Sequence, residues 1–310
     1  MNVSLEYLLS VLNSTVRYMT PILLVTLCAG ICSKVNVFNI ALEGTLLAAA
    51  FFGFLAQYYF RNIFLSVLIA MLVGMLITLL MAFFVVKLKG HPMIVGMAIN
   101  TIATGLTTLL LSVIFHTKGL ISEPGMEGLT KVVLPGVQNS PVLESIFSSL
   151  TVVDYLAFLM AFAVFVFLYK TKTGFRLRAI GINEEAAGSL GIHVQKYQII
   201  ACTISGSMIG LAGCLLSLGS VTLFVQKISA ARGYIALAAD SLCMSHPLGA
   251  IASSALFGFT TALSYVLQKT PVRQQLLNCI PWIATIVAVA VYNVDALRKK
   301  NKPKKKTPKK

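Results

Sequence analysis

The sequence predicts an all-α fold: a polytopic integral membrane helical bundle of about nine spans, one of them short or broken. Three observations predict it. The 310 residues are 57% hydrophobic and only 11% charged, with a mean hydropathy of +0.85, whereas ordinary soluble domains carry about 25% charged residues. Apolar runs of spanning length recur, separated by short breaks. The positive charges also collect in two places, the stretch from Lys170 to Gln198 and the tail from Arg298 to Lys310.

Residues 1–15 mix Asn2, Glu6 and Asn13 with leucines and predict a short helix lying on the membrane surface. The first span runs from Arg17 to Cys32 with Pro21 in its first turns, and Lys34 and Asn36 make a tight turn. The second span runs from Val37 to Phe60. Arg61 and Asn62 lead into a third, Ile63 to Val86, which Lys87 and Lys89 close. Lys-Gly-His-Pro at 89–92 is a break before the fourth, Met93 to Phe115. The loop 116–150 carries only Lys118 and Lys131 against Glu123, Glu127 and Glu144, and with so few basic residues it is expected on the outer face. Span five is Val152 to Tyr169, and span six, after the basic loop, is Ile199 to Leu218. Residues 219–232 read as an outer connection. A short apolar run, Gly233 to Met244, is broken by His246-Pro247; Leu248 to Leu267 and Leu277 to Val294 complete the set.

The basic loop and the basic tail should share the cytoplasmic side. An even number of crossings must then separate them, which makes Gly233 to Met244 a short or broken crossing buried in protein. The N-terminus falls outside. Residues 1–297 form the membrane domain, with its loops at 170–198 and 116–150. Residues 298–310 form a disordered basic cytoplasmic tail.

The formal charge of +15 does not indicate nucleic acid. Nine of the charges lie in the tail, with no aromatic residue among its lysines, and such a tail rests on anionic lipid. The six cysteines lie in or beside apolar runs and show no zinc or disulfide spacing. The N-terminus lacks the basic region and cleavage site of a typical signal peptide. No G-x-x-x-x-G-K-[ST] loop is present, so ATP, if it drives the protein, binds another chain. The four histidines are scattered, with no hydrolase or metalloprotease arrangement. Neither an enzyme, a cofactor nor a metal site is expected.

The basic loop carries Lys170, Lys172, Arg176, Arg178 and Lys196 against Glu184 and Glu185. Within it Asn183 caps a short helix, the two glutamates occupy its positive first turn, and Gly191 ends it. A capped helix on the cytoplasmic face is a docking surface. Inside the spans, Glu43 is expected near the cytoplasmic end, within reach of Lys34, either capping a helix or touching solute. Asp240 should face the bundle or water. Together these acids allow an ion-coupled secondary transporter. Gly96, Asn100, Thr104 and Thr107 (or Thr108) form a stripe on span four that suits a polar path or interhelical packing equally. Gly206, Gly210 and Gly213 suit close helix approach.

The motif GFRLRAIGINEEAAGSLGIHVQKYQ resembles the cytoplasmic coupling loop of permease subunits in bacterial ABC importers, in the branch of ribose, branched-chain amino acid and nucleoside permeases. Glu185, Ala186, Ala187 and Gly191 match that branch's "EAA" motif, and Asn183, Glu184 and Gly188 lie within the same coupling helix. NVFNIALEGTLLAAA, through Asn39, Ile40, Leu42, Glu43 and Gly44, resembles the nucleoside and simple-sugar subgroup. SGSMIGLAGCLLSLGS, ARGYIALAA and His246-Pro247-Leu248-Gly249-Ala250 extend the similarity, which covers about residues 16 to 297. Asp240 departs from it, standing where the family is usually apolar, and the lysine tail is not part of the pattern.

The resemblance implies one half of a two-permease pore in a bacterial cytoplasmic membrane. Two ABC ATPase subunits would dock on the cytoplasmic side, a second and different permease chain would complete the pore, and an extracytoplasmic solute-binding lipoprotein would deliver a nucleoside or a sugar such as ribose. Asn39, Glu43, Asn100, Thr104, Thr107 and Asp240 are the candidate path residues.

Overall fold

The computed structural model describes residues 3–268 apart from 118, 124, 133–149 and 220, with scattered positions between 280 and 290. The last predicted span, the tail and Cys279 fall largely or wholly outside the described residues. The helices are α1 (Val3–Ser33), α2 (Leu42–Phe60), α3 (Ile63–Ala82, continued by a π-helical turn Phe83–Lys87) and α4 (Pro92–Phe115). After the outer loop come α5 (Val152–Lys170), α6 (Lys172–Ile182), α7 (Glu184–Ser189), α8 (Val194–Leu218), α9 (Arg232–Cys243) and α10 (Pro247–Leu267). Six of them, α1, α3 with its π turn, α4, α5, α8 and α10, are long and apolar enough to cross a membrane. The fold is a multi-pass helical bundle, with α2 enclosed by α3, α4 and α8.

The bundle is packed by small residues. On α3, Ser66, Ala70, Gly74 and Thr78 recur every fourth position and are buried, while Phe64, Leu68, Leu72 and Leu76 recur on the opposite face and are exposed, Phe64 by 77%. Large side chains outward and small ones inward is the pattern of a helix solvated by lipid. The buried stripe lies against Gly206 and Gly210 of α8. A Cβ on Gly206 would collide with Thr78 and Gly74, and one on Gly210 with Ala70 and Met71. Gly213 faces α2, where a Cβ would sit 2.6 Å from the nitrogen of Ala50. The three glycines expected to permit close approach therefore do so on two different neighbours.

Strands β1 (Leu120–Ser122) and β2 (Leu223–Val225) pair antiparallel, so the loops on either side of α5–α8 meet at one end of the bundle. The connection 170–193 lies at the other end, because α5 leads down to it and α8 leads back up. The end of α1 lies there too, with Lys34 against Gly181.

Two expectations are corrected. Residues 3–15 are no separate surface helix; they continue into the first span as one helix through Pro21, which lies inside α1 without ending it. The second span does not begin as a helix, because Val37–Ile40 are non-helical although Val37 and Ala41 are buried. The 219–232 connection also packs onto the bundle. Phe224 is buried with its ring edge-on to Phe51, 5.2 Å between centroids, and 6.3 Å from Phe54.

Gly210→Leu should force α3 and α8 apart and reduce the folded, monodisperse fraction in detergent at least several-fold, since overpacking a tight contact costs about 1–3 kcal/mol or more. Gly105→Leu, where an added Cβ meets nothing within 4 Å, should leave it unchanged. Fluorescence-detected size exclusion of the two variants makes the comparison.

Candidate functional site

Two features stand out: a knob at the α5–α8 end, and a crossing of interrupted backbone inside the bundle. The knob is α7. The Asn183 side chain accepts the amide of Ala186 at 3.0 Å, which caps the helix. Gly191, at φ 81°, turns the chain out of it in the left-handed region that favours glycine. Its outer face is made of Asn183, Glu185, Ala186, Gly188 and Ser189, all exposed, flanked by Ile182 and Leu190, which are 87% and 81% exposed. Ala187 is buried beneath it and anchors the knob.

Glu184 points the other way. Its Oε1 accepts hydrogen bonds from Asn36 Nδ2 at 2.8 Å and Gln198 Nε2 at 2.9 Å. Gln198 Nε2 also donates to the Val35 carbonyl at 3.0 Å. The knob is thereby wired to the turn between α1 and α2 and to the first turns of α8. These bonds join α7 to residues 35–36, which lead into the segment 37–41, buried except for Phe38.

That segment enters the bundle as irregular backbone, which must find its hydrogen bonds within protein. Asn39 Oδ1 accepts the amide of Ala41 at 3.0 Å. Asn100 of α4 meets the segment end: its Nδ2 donates to the Ile40 carbonyl at 3.0 Å and to Tyr234 Oη at 3.1 Å, and its Oδ1 accepts the Gly44 amide at 2.7 Å. Gly96 gives α4 the room, since a Cβ there would lie 2.8 Å from Ile40 Cβ.

A second interrupted stretch arrives from the opposite end. Residues 226–231 descend from β2 to the start of α9, where Ala230 and Ala231 take left-handed conformations. Glu43 holds this junction. Its Oε1 accepts Ser229 Oγ at 2.6 Å and the Ala231 amide at 2.9 Å, and its Oε2 accepts the Gly233 amide at 2.8 Å. The first turns of α2 and α9 touch so closely that a Cβ on Gly233 would sit 2.5 Å from Glu43 Cα. The expected pairing with Lys34 is absent, because the non-helical residues 37–40 separate Glu43 from the end of α1; Lys34 Nζ instead donates to the Met244 carbonyl at 3.0 Å.

Asp240 lies at the far end of α9. Its Oδ2 accepts Ser33 Oγ at 2.9 Å and Ser245 Oγ at 3.1 Å. Its Oδ1 is buried with no hydrogen-bond partner among the described residues and faces Gly30, 3.1 Å from where a Cβ would stand. Asp240 thus ties the α9–α10 turn to the end of α1. Thr104 and Thr107 donate to carbonyls one turn back, of Asn100 at 2.8 Å and Ala103 at 2.7 Å. The structure brings Asn39, Glu43 and Asn100 together around the two helix starts and leaves Asp240 about two turns away along α9.

The family described as "Branched-chain amino acid transport system / permease component" matches residues 11–292. The chain belongs to this permease family. The permease is 31% identical over 290 residues to the guanosine ABC transporter permease protein NupQ of Bacillus subtilis, covering 90% of each chain. It is 30% identical over 294 residues to the nucleoside ABC transporter permease protein NupC of Lactococcus lactis, covering 91% of this chain and 92% of that one. A second Bacillus subtilis protein, the guanosine ABC transporter permease protein NupP, is 28% identical over 219 residues, covering 67% of this chain and 60% of the relative. A transport subunit needs no catalytic group of its own.

Several residues of the permease site escaped sequence reasoning. Asn36 and Gln198 gain their importance only from Glu184, across long sequence separations. Asp154 is a second buried acid beside Asp240; its Oδ1 accepts Thr20 Oγ1 at 2.5 Å, and its Oδ2 accepts the Thr151 amide at 2.7 Å and Thr151 Oγ1 at 2.8 Å. The signal for it was present, a Thr-x-x-Asp pattern just before an apolar run.

Removal of Glu43 strands buried donors in the permease. Glu43→Ala should lower its stability by about 2–5 kcal/mol, the range for breaking a buried charge-assisted network. Glu43→Gln should also weaken it, because one carboxamide end is a donor facing a donor. Thermal unfolding in detergent reads both; a Gln variant as stable as the parent would exclude the clamp.

Proposed function

We propose that this permease is one of two transmembrane subunits of an ABC importer that moves nucleosides into the cell across a bacterial cytoplasmic membrane. The observation that carries the coupling mechanism is the exposed α7 knob tied through Glu184 to the α1–α2 turn. An ABC ATPase grips the face made by Glu185, Ala186, Gly188 and Ser189, with Ile182 and Leu190 as apolar flanks. ATP-driven closure pushes on α7, and the push passes through Asn36 and Gln198 to the 35–41 segment and the Glu43 junction. ATP is hydrolysed on that partner chain.

The solute class is supported by the names of the relatives, which are nucleoside and guanosine permeases along nearly the whole chain. Two differently named guanosine permeases of one bacterium match to different extents, which supports a second, different permease chain as the partner. An extracytoplasmic solute-binding lipoprotein delivers the solute to the β1–β2 end. Counting α2 and the half-length α9 with the six long helices, and adding 277–294, gives nine crossings. The N-terminus is then outside and the C-terminal tail 298–310 cytoplasmic, resting on membrane lipid. Residues 1–297 form the membrane domain.

Asn39, Glu43, Asn100, Thr104, Thr107 and Asp240 frame the moving junction rather than a bare polar channel, because their polar groups are spent mostly on backbone. The ion-coupled alternative built on Glu43 and Asp240 has less support: the Glu43 oxygens are occupied by three donors, and Asp240 stands at the other end of α9.

In cells lacking this chain, uptake of radiolabelled guanosine should fall to background and return with the wild-type chain. A defect in ribose uptake alone would move the assignment to sugars. Glu185→Lys and Gly191→Pro should abolish uptake while the chain still reaches the membrane. A cysteine at Ser189 should crosslink to the ATPase in native membranes, whereas one at buried Ala187 should not. Equal crosslinking at both positions would remove the docking face. Asn100→Leu should change uptake while co-purification of the ATPase is unaffected.

A further inference from the structure

The outer half of the bundle holds a cavity of about 440 Å³ between α1, α5, α8, α10 and the loop that descends to α9. It is distinct from the knob and from the Glu43 junction. Its charged lining is Arg17, Lys227, Arg232 and Asp154, joined by Tyr18 and Tyr265. The two tyrosine rings stack with 4.9 Å between centroids and 13° between planes. Three cations therefore face one acid.

That acid does not neutralise them. Asp154 spends its oxygens on Thr20 and on the Thr151 cap of its own helix. Glu43, the nearest acid across the loop, turns its carboxylate to Ser229 and to the amides of Ala231 and Gly233. Among the described residues, the Arg232 guanidinium donates to the Ile228 and Ser229 carbonyls, at 3.0 and 3.4 Å, which hold it without cancelling its charge. Among the described residues, Arg17 and Lys227 have no ion-pair partner.

Position makes this excess informative. Arg17 lies within the spanning part of α1, which runs from Val11 to Ser33. Cations are favoured on the cytoplasmic side, and these lie toward the other side, where the membrane gives no reason to keep them. Ionisable groups retained at such depth mark a ligand or a path. Arg17 and Arg232 are half-buried and Lys227 is exposed, so a bound anion gains most from the two guanidinium groups.

We propose that this cavity is a binding site for a phosphate ester. Two guanidinium forks and an ammonium match a tetrahedral oxyanion, which accepts several charge-assisted hydrogen bonds at once. Apolar neighbours such as Pro21, Leu216 and Ile228 take the organic portion. The phosphate can come from an anionic lipid headgroup or from a soluble nucleoside monophosphate. The site does not depend on the nucleoside reading above.

The test uses the full-length chain purified in maltoside detergent. Native mass spectrometry scores retained phosphatidylglycerol, and equilibrium binding scores tritiated AMP, with adenosine as the phosphate-free control. Wild-type protein should bind at least one probe, and AMP at least tenfold more tightly than adenosine if AMP is the one bound. Retained lipid without AMP binding identifies the headgroup as the source, and AMP binding after delipidation identifies the soluble ester. Arg17→Gln should weaken the bound probe at least tenfold and Arg17→Lys less. Lys227→Gln, on an exposed side chain, should weaken it about threefold, and it decides the matter if Arg17→Gln elutes as aggregate. Binding of neither probe by wild type, AMP bound no better than adenosine with no lipid retained, or equal binding by wild type and the folded variants would overturn the site.

Discussion

The arrangement depends on one carboxylate. Bringing non-helical backbone into the interior of a membrane bundle is permitted only if its polar groups are satisfied by protein. Here two such stretches enter from opposite ends, 37–41 and 226–231, and both finish at a helix start. Helix starts carry unpaired amides and partial positive charge. Glu43 answers both needs, taking the Ala231 and Gly233 amides while lying in the first turn of α2. Asn100 does the same for the other stretch with one acceptor and two donor contacts.

Around that junction the bundle is held by close contact of small residues. Lipid is as apolar as leucine, so burying large side chains gives no advantage, and helices associate where backbones can touch. The α3–α8 contact through Gly74, Gly206 and Gly210 and the α2–α8 contact through Gly213 supply a rigid frame. Against this frame the α7 knob is held by the buried Ala187 and by hydrogen bonds through Glu184, Asn36 and Gln198. The Asn36–Glu184 hydrogen bond is exposed, and such a bond breaks and reforms more readily than glycine-packed helices separate.

Much of this was legible in the sequence. Asn183 and Gly191 marked the ends of α7 because caps are local chemistry, and the spacing of Gly206, Gly210 and Gly213 marked a packing face. Span four was placed almost to the residue by His91-Pro92 and the loss of hydropathy after Phe115. The interrupted stretches were not legible. Val-Phe-Asn-Ile-Ala at 37–41 is as apolar as the helix that follows it, so hydropathy cannot tell extended chain from helix. Residues 219–231 carry Gly, Ser, Gln and Lys and read as an outer loop; only the burial of Phe224 shows that they turn inward. The direction of Glu184 depends on where residues 35–36 come to lie, a contact between segments about 150 positions apart.

The shared carboxylate has a mechanical corollary. Because Glu43 fastens the beginning of α2 to the beginning of α9, neither can swing away alone, and the pair behaves as a single lever arm. A corridor for solute through the middle of this subunit would have to sever that joint at every cycle. A path along the subunit's flank would leave the joint intact.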